Sequence, residues 1–491
     1  MVSIKKHSKL PPGPVSLPIV GHLHLLSPFI HQSFHKLSSI YGPLMYLRIG
    51  SNDCIVASTP ELAEELLRTN ELTFSARKHN AAIDHLTYNS SFAFAPYGPY
   101  WKFIKKVSTI ELLGHRTLGQ FQPIRTQELH HFITFLLDKS KALETVNLTE
   151  ELLTLTSNFI SQMMLGIRCS GTGEHPDGVR TLVREVSEIF GEFNVSDVIW
   201  FCKHLDLQGI RKRFEDIHTR YDTLLEKIIS DREQVRKLKK RDNDDEVKDF
   251  LDMLLDVSED AHSEVQLTRT HIKALILDFL TAGTDTGASS IEWALAELIN
   301  NPEVLREAQK EIDQVVGKDR LVQEFDTGRL PYLQAIIKET FRLHPPIPMI
   351  IRKAVEECKI NGYTIPAQSL LFVNMWSIAR DPKVWEDPLK FQPQRFFIDN
   401  NTIDVKGFHY QLLPFGTGRR GCPGMSLAML ELSVTLAAMI QCFEWKVAET
   451  ANTGSGSVCV DMTERPGLVV PRANDLKCVP VARFTPTLFT S

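Results

Sequence analysis

The sequence predicts a mainly α-helical protein with smaller β-sheets near both ends of the chain. Between about residues 100 and 345, apolar side chains recur every three or four residues, which is the period of a helix. Inside that region, residues 271–300 form one apolar segment, which as a helix would be about 45 Å long. Short runs of β-forming residues lie on either side. The alternative from pattern alone is an antiparallel helical bundle with a peripheral sheet.

The N-terminal stretch "MVSIKKHSKLPPGP" is too polar and too short for a membrane span or the apolar core of a signal peptide. Its three prolines favour a stiff, extended chain. We therefore expect residues 1–15 to be a hinge, either without any anchor or following an anchor that has been removed. Residues 16–491 would then form one catalytic domain.

A hairpin and a capped helix are predicted next. The stretch "LMYLRIGSNDCIVAST" (44–59) has two β-rich runs separated by turn-forming residues at 50–53. Ser58 or Thr59 can then cap a helix whose first turn holds Pro60.

Later segments complete the prediction. Residues 231–249 are a mixed charge run, which predicts an exposed helix end and a mobile loop. The β-rich runs "CKINGYTI" (358–365) and "SLLFVNMW" (369–376) alternate with proline-rich turns. A last helix is expected after Cys422.

Composition narrows the class of protein. The chain of 491 residues is 43% hydrophobic and 23% charged, which is typical of a globular protein with a large core. Its net charge of -5 gives no indication of nucleic-acid binding. The eight cysteines occur singly, with no C-x-x-C pair, which argues against a zinc ribbon or a disulfide-rich secreted scaffold. A reducing, cytosol-facing environment fits better.

One cysteine stands in a loop rich in glycine and arginine, "LLPFGTGRRGCPGMSLAML" (412–430). By itself, Cys422 could be a buried small residue, half of a disulfide, a zinc ligand, a nucleophile or an axial ligand to haem iron. Gly418 and Gly424 would allow tight turns and close approach to a flat cofactor. The free amides of the helix that follows would favour a thiolate.

With Phe415 and Arg420, this loop reads F-x-x-G-x-R-x-C-x-G and resembles the haem-binding loop of cytochromes P-450. The resemblance implies that Cys422 is the axial ligand of the iron of haem b. It implies that Arg420 meets a haem propionate and that Phe415 packs beside the thiolate. It also implies the P-450 fold, with the long central helix over the haem.

Distant motifs agree with this resemblance. Glu339 and Arg342 lie one helical turn apart, and the family closes such a pair into a structural triad with an arginine, here Arg395. The family's P-E-R-F reads "PQRF" in this chain, so Gln394 replaces a glutamate. Alone, the E-x-x-R pair would be read as a surface ion pair.

Further propionate contacts are implied by the same resemblance. Trp101 and Lys105 lie four residues apart on one helix face and match the family's W-x-x-x-R/K pattern, and Arg352 is another candidate. The alternative for the first two is a surface amphipathic helix whose lysine extends to solvent.

The stretch "TAGTDTG" lies within the long helix and resembles the family's oxygen-side motif. The resemblance implies that Gly283 opens the helix wall, that Thr286 hydrogen-bonds bound oxygen and that Asp285 relays protons. Alternatively, Thr286 bonds back to the Ala282 carbonyl and Asp285 is solvated. Gly287 stands where many relatives carry Thr or Ser and would loosen the helix by about 1 kcal/mol relative to Ala.

The resemblance covers nearly the whole chain, has a plant microsomal character and is strongest to flavone synthase II. It implies oxidation of flavanones such as naringenin to flavones, by desaturation or through a 2-hydroxyflavanone. The alternatives are flavanone 2-hydroxylase, isoflavone synthase or a hydroxylase of another phenolic or a triterpene. Isoflavone synthases carry Ser in place of Thr286 and Lys in place of Ile351, which this chain does not.

A flat phenolic substrate calls for an apolar pocket with few polar groups. The expected lining residues, each of which could instead be ordinary core, are His85, Val195, Ile199, Phe279, Ala282, Ile347, Ile351 and Leu468.

The resemblance further implies dioxygen, electrons from NADPH through cytochrome P-450 reductase, a monomer, and the cytosolic face of the endoplasmic-reticulum membrane. Lys102, Lys106 and Arg419 could form a basic docking face for the reductase. Two other classes stay open. A reductase-independent haem isomerase or lyase would typically have disturbed motifs, and a non-catalytic haem-binding protein would not need Asp285 and Thr286.

Overall fold

The computed structural model describes residues 9–170, 176–239, 247–397, 403–448 and 459–484. Its architecture is mainly helical with small sheets, which confirms the predicted fold class. Of the predicted exposed helix end and mobile loop, the helical part ends at Lys239, and residues 240–246 lie outside the described residues.

The helices fill the middle of the chain, as the apolar spacing predicts. They span Ile30–Tyr41 (α1), Pro60–Glu64 (α2), Ala81–Leu86 (α3), Pro99–Lys106 (α4), His115–Gln120 (α5), Gln122–Ala142 (α6), Leu148–Leu165 (α7), Pro176–Gly191 (α8), Val195–Val198 (α9), Ile210–Lys239 (α10), Phe250–Glu259 (α11), Arg269–Asn300 (α12), Pro302–Val315 (α13), Pro331–Leu343 (α14), Met375–Ile378 (α15) and Met425–Cys442 (α16). Short π-helical turns, Glu65–Thr69 and Val107–Leu112, continue α2 and α4.

The strands form three small sheets. They span Leu44–Ile49 (β1), Asn52–Ala57 (β2), Val146–Asn147 (β3), Met349–Lys353 (β4), Cys358–Ile360 (β5), Tyr363–Ile365 (β6), Leu370–Asn374 (β7), Phe443–Val447 (β8) and Lys477–Ala482 (β9). The orders are β1-β2-β7-β4, β3-β9-β8 and β5-β6, and among the strands of the described ranges only β2 and β7 pair in parallel. The first sheet therefore joins the N-terminal hairpin to the region after α14.

The predicted hairpin and helix cap are confirmed. Leu44 pairs with Ala57 at the open end of the β1–β2 hairpin, and Gly50 takes the left-handed conformation at the turn (φ +59°). The turn is shorter than predicted, because residues 52 and 53 already belong to β2. Thr59 is the residue that caps α2: its hydroxyl accepts a hydrogen bond from the Leu62 amide.

Helix α12 is the long central helix that residues 271–300 predict, and it runs 32 residues. Thr268 caps its start in a capping box with His271. The helix packs against α7, α8, α14 and α16, and most of its side chains beyond residue 287 are buried. It therefore crosses the core and can present one face to a site beside it.

The proline-rich segment is extended where the structure describes it, and it is attached to the body. The Tyr46 amide donates to the Pro12 carbonyl and the Thr364 amide donates to the Lys9 carbonyl, at 2.8 and 2.9 Å. Helix α16 is long and apolar enough to cross a membrane, but most of it is buried inside the protein as a core helix.

Candidate active site around Cys422

The cysteine loop is a tight turn that leads directly into α16. The Cys422 amide donates to the Phe415 carbonyl at 2.8 Å, and Gly418 is left-handed (φ +65°). Gly424 has an ordinary φ of -83°. Gly424 lies in the turn before α16 in a conformation open to any residue, and its amide faces the sulfur of Cys422; its close approach to a flat cofactor stays a prediction. Phe415 packs edge-on against Phe341 of α14.

The Cys422 thiol is accessible from a cavity although protein surrounds it. The cavity has a volume of about 150 Å³, and its wall includes Lys105, Phe415 and Met425. Burial raises the pKa of this thiol, while the amides of Gly424 and Met425 and the nearby cations oppose that rise. A metal ion bound to the sulfur would remove the proton outright. Burial therefore disfavours the free thiolate that a nucleophile needs, so the thiol suits a metal ligand better than a nucleophile.

Four cationic side chains converge beside this loop: Arg77, Lys105, Arg352 and Arg420. Burial and the neighbouring Arg77 and Arg420 lower the pKa of Arg352 far below its usual range. Burial likewise lowers the pKa of Lys105, and it lowers that of Arg420 to about 10. Like charges brought together inside a protein are costly unless an opposite charge compensates them. The cluster thus calls for an anionic group.

Several donors of this cluster are free to bind such a group. Arg420 donates to the carbonyls of Ser75 and Ala95, at 3.0 and 2.6 Å, but within the described residues its Nη1 has no partner. The buried Nε of Arg77 also has no partner there. These orphan donors beside a thiol fit the two propionates of a haem, because a buried unpaired donor costs roughly 1–3 kcal/mol. The residues present therefore suit haem.

The side chains predicted to contact the propionates also contact one another and the cysteine loop. Lys105 Nζ donates to the Gly421 carbonyl at 2.8 Å. Trp101 is buried, and the Arg420 guanidinium lies 4.6 Å from the centre of its ring. Trp101 thus holds Arg420 in place through a cation–π contact.

Arg77 is a member of the cluster that the sequence did not reveal. The Lys353 amide donates to the Ala76 carbonyl at 2.8 Å, which places Arg77 next to the strand that carries Arg352. No local pattern around Arg77 indicates this neighbour, since the two segments are far apart in sequence.

On α12, Thr286 bonds back to its own helix. Its Oγ1 donates to the Ala282 carbonyl at 2.7 Å, which is the alternative that the sequence left open. Ala282 itself is exposed. The hydroxyl oxygen keeps two lone pairs in this arrangement, so it can still accept a hydrogen bond.

Asp285 turns away from Thr286 toward α8. Burial raises the pKa of this carboxyl, while the Ser187 hydroxyl and Arg184 on α8 lower it. It is partly buried, which excludes the alternative of a solvated side chain.

Gly283 and Gly287 serve the contact between α12 and α7. A Cβ at Gly283 would stand 2.6 Å from the Ile160 side chain, and one at Gly287 would stand 3.3 Å from Thr156. Close helix packing therefore requires Gly283, and this is a different role from the predicted opening toward the haem.

The structure brings Glu339, Arg342 and Arg395 together in the interior. Arg342 donates through Nε and Nη2 to the two oxygens of Glu339, at 2.7 and 2.8 Å, and Arg395 Nε donates to Glu339 at 2.9 Å. Both Glu339 and Arg342 are completely buried, so a surface ion pair is excluded. Gln394 donates to the Tyr332 hydroxyl and leaves this network intact.

Two of the predicted pocket residues are linked through their loops. The Val470 amide donates to the Pro346 carbonyl at 2.9 Å, which places the segments of Leu468 and Ile347 side by side. Leu468 also lies against Gly191 at the end of α8. Ile351 is half-buried on β4.

Other predicted pocket residues lie elsewhere. His85 is exposed and packs against Phe214 and His218 of α10, and its role as a pocket residue stays a prediction. Phe279 packs against Phe250 of α11 as core, with ring centres 6.0 Å apart.

Val195 and Ile199 belong to a segment that packs on the β1–β2 turn. The Ser51 amide donates to the Val198 carbonyl at 2.9 Å, and a Cβ at Gly50 would stand 2.5 Å from the Val198 side chain. The structure therefore places both residues at the hairpin turn rather than next to the cysteine loop.

The predicted basic face is partly neutralised. Arg419 is paired with Glu71, and Lys106 is paired with Glu264 at 2.9 Å. Lys102 is exposed and lies over the ring of Tyr97.

Comparison with known proteins is consistent with this geometry. A model of the cytochrome P450 family matches residues 11–460. Cytochrome P450 93B16 of Glycine max is 60% identical, over 99% of this chain and 94% of the relative. The 3,9-dihydroxypterocarpan 6A-monooxygenase of Glycine max is 49% identical, over 98% and 94%. A solved zebra fish cytochrome P450 with progesterone superposes with a TM-score of 0.76 at 25% identity, covering 93% of this chain and 100% of that one.

Proposed function

The chain belongs to the cytochrome P450 family, and from this premise we propose that it is a monooxygenase that converts flavanones such as naringenin to flavones. The observation that carries the haem part of the proposal is the cluster of cations with orphan donors beside Cys422. The substrate class rests on the relatives, one of which is named for oxidation of a pterocarpan. Desaturation of a flavanone consumes one dioxygen and one NADPH, removes two hydrogens from the substrate and forms two waters.

Haem, when bound, supplies activation of dioxygen and oxidation of a C–H bond. Cys422 would be its axial ligand, and Arg77, Lys105, Arg352 and Arg420 would hold its propionates. The amides of Gly424 and Met425 would hydrogen-bond the sulfur and tune the potential. The chain therefore contributes a preorganised set of hydrogen-bond donors for the propionates and the sulfur.

Asp285 and Thr286 are the residues that would deliver protons during the reaction. Because burial raises the pKa of Asp285, this carboxyl can hold a proton closer to neutral pH than a solvated one. Thr286 can pass a proton on through its hydroxyl, which donates at rest to the Ala282 carbonyl. Since Asp285 points toward α8, protons would enter between α8 and α12.

The test is turnover by the holoenzyme with cytochrome P-450 reductase, NADPH and naringenin, with identification of the product. We expect a flavone, and Cys422→Ser is expected to abolish both turnover and the red-shifted Soret band of the reduced carbon monoxide complex. A 2-hydroxyflavanone or an isoflavone would instead assign one of the related reactions. A protein with the thiolate spectrum that oxidises none of the flavanones would refute the substrate and leave the haem site intact.

We further propose that the reductase docks on the Cys422 side, over α4. In the described part of the chain, the positive charge of Lys102 is not paired with a carboxylate. Arg419 and Lys106, by contrast, each have an acidic partner. Charge at such a rim affects the association rate most. Lys102→Glu should therefore slow reduction by reductase at low salt and leave reduction by dithionite unchanged, with Lys310→Glu on α13 as the control.

Attachment to the endoplasmic-reticulum membrane is proposed from an exposed apolar surface. Two segments meet at the β1–β2 turn: the Gly50 amide donates to the Val20 carbonyl and the Ser51 hydroxyl accepts from the Trp200 amide. Their exposed apolar side chains are Val15, Leu17, Ile19, Trp200, Phe201, Leu205 and Leu207. Exposed apolar side chains on neighbouring segments are typical of membrane contact. Vesicle flotation of the chain, with Trp200→Ser and Phe201→Ser reducing it, tests this proposal.

A further inference from the structure

The segment of residues 71–77, between α2 and α3, joins the chain just after β4 to the cysteine loop. On one side, the Val355 amide donates to the Thr73 carbonyl at 2.8 Å. On the other side, Arg420 Nε donates to the Ser75 carbonyl at 3.0 Å. Because the first contact fixes the segment to the sheet, the segment can hold the cysteine loop in place.

Glu71, the first residue of this segment, bonds to the cysteine loop with its carboxylate. One oxygen accepts a hydrogen bond from the Arg419 amide at 2.5 Å, and the other pairs with the guanidinium of the same residue. The Glu71 side chain is only 20% exposed. A largely buried carboxylate that also accepts from a backbone amide holds its partner more firmly than an exposed ion pair does.

This contact lies on the turn that places the sulfur. Gly418 is left-handed, and a Cβ there would collide with the Glu71 carboxylate, so the close approach requires glycine. The Gly421 amide donates to the Gly418 carbonyl at 3.0 Å, and Cys422 follows directly. The position of the turn therefore determines where the sulfur lies relative to the amides at the start of α16.

Glu71 also brings negative charge to the cation cluster. It lines a cleft together with Arg352 and Arg420. Burial lowers the pKa of Arg352, and the carboxylate of Glu71 opposes part of that lowering. A change at Glu71 can therefore act through position or through charge.

We propose that Glu71 is a positioning residue for the cysteine loop, which holds the Arg419 amide and so keeps the Cys422 sulfur where its thiolate can stay bound to a haem iron. This inference rests on the proposed haem site and is independent of the proposed substrate. Without the contact the turn would open for part of the time. The sulfur would then leave the iron more often, and its hydrogen bonds from the amides would weaken.

Two variants of the haem-loaded protein separate position from charge. Glu71→Asp keeps the charge and shortens the side chain, whereas Glu71→Gln keeps the length and one acceptor oxygen and removes the charge. The first readout is the rate at which the reduced carbon monoxide complex loses its red-shifted Soret band in mild urea. We expect this rate to rise about tenfold in Glu71→Asp and less than about threefold in Glu71→Gln.

The reduction potential is the second readout, because position and charge change it in opposite directions. Weaker hydrogen bonds make the sulfur a stronger electron donor and favour oxidised iron, whereas loss of a nearby negative charge favours reduced iron. At a fixed electrode potential, the ratio of reduced to oxidised iron should fall about threefold in Glu71→Asp, a shift of about 28 mV to more negative values. In Glu71→Gln this ratio should not fall.

Glu64 supplies the matched control, since it forms an exposed ion pair with Arg68 shortly before this segment. Glu64→Asp and Glu64→Gln should leave both the rate and the potential at their wild-type values. The urea midpoint of global unfolding should also stay near that of wild type in the Glu71 variants. If Glu71→Asp yields no folded holoenzyme, Arg419→Ala is the second variant; it removes the guanidinium and keeps the amide, so the rate should rise about threefold.

Three results overturn the inference: an unchanged rate of band loss in Glu71→Asp and Arg419→Ala, a faster loss in Glu71→Gln than in Glu71→Asp, or a fall in the unfolding midpoint that accounts for the faster loss. A wild type that never shows the red-shifted band would refute the haem site and this inference with it. Failure to oxidise naringenin would refute only the proposed substrate and leave the role of Glu71 unchanged.

Discussion

Glu431 on α16 is a buried acid whose neutralisation should stabilise the protein. Its side chain is 4% exposed, and its Oε1 has no hydrogen-bond partner in the described part of the chain. The nearby Arg125 is already engaged by Glu324, with hydrogen bonds of 2.6 and 2.9 Å. Burial raises the pKa of Glu431 to about 8, because Arg125 compensates only part of the cost and Glu324 adds to it. We therefore expect Glu431→Gln to raise the free energy of unfolding at neutral pH.

The size of the effect follows from proton linkage. The ordinary pKa of a glutamate is 4.5, and the folded value is about 8. Below pH 4.5 the carboxyl of Glu431 is protonated in both the folded and the unfolded state, so its ionisation does not lower the free energy of unfolding. As pH rises toward 8 only the unfolded state releases its proton, so folding loses about 1.4 kcal/mol per pH unit. At pH 7 the gain from Glu431→Gln is therefore about 3 kcal/mol, and it vanishes near pH 4.5.

The assay is urea unfolding of the holoenzyme at several pH values between 5 and 8, for wild type and Glu431→Gln. The difference in unfolding free energy should grow steadily with pH. Glu324→Gln is the control with the opposite sign, since it leaves the Arg125 guanidinium without its paired carboxylate. A gain that does not depend on pH, or a loss at pH 7, would refute the argument that Glu431 is held neutral by burial.

Three other substitutions test the remaining networks. Glu339→Gln leaves Arg342 and Arg395 without a carboxylate and should cost about 3–5 kcal/mol in urea unfolding, whereas a loss under 1 kcal/mol would show that the triad is dispensable. Arg420→Ala should speed loss of haem to apomyoglobin at least tenfold, and an unchanged rate would remove Arg420 from the propionate cradle. Glu464 accepts hydrogen bonds from His31 and Trp376, and these contacts lower its pKa to about 2 against the cost of burial. Its ionised form therefore stabilises the fold above pH 4.5, and this contribution is lost as pH falls toward 2. In Glu464→Gln the free energy of unfolding should fall less steeply with decreasing pH over this range. Identical acid-unfolding curves for the two proteins would contradict the assignment.

Sequence spacing predicts those parts of the fold in which neighbours in sequence are also neighbours in space. The β1–β2 hairpin, the Thr59 cap and α12 are of this kind, and each is confirmed. The pocket is different, because a helical residue's environment depends on which distant element packs against it. Phe279 lies only three residues before Ala282, yet it faces Phe250 of α11, while Ala282 is exposed.

The same distinction explains why sequence reasoning missed Arg77 in the cation cluster and the partners of Asp278. Arg77 joins the cation cluster through the bridge between Ala76 and Lys353, and no spacing rule links segments so far apart. Asp278 did carry a local signal, since it is the one acid in the apolar run "HIKALILDFL". A charged residue inside a buried helix needs partners, and its partners proved to be the loop at residues 91–93.

The charge distribution around Cys422 couples the stability of the fold to binding of the cofactor. Arg352 and Arg420 are buried next to Arg77, and too few carboxylates lie nearby to compensate their charges. Without a bound anion the cluster therefore lowers the free energy of unfolding, whereas apolar side chains in the same place would not. An anionic haem would compensate that repulsion and would offer acceptors to the free donors of Arg77 and Arg420. A haem bound by the folded chain and not by the unfolded one would add its binding free energy to stability. Neutralising one of these arginines should therefore weaken haem binding while stabilising the haem-free chain, two effects of opposite sign from one substitution.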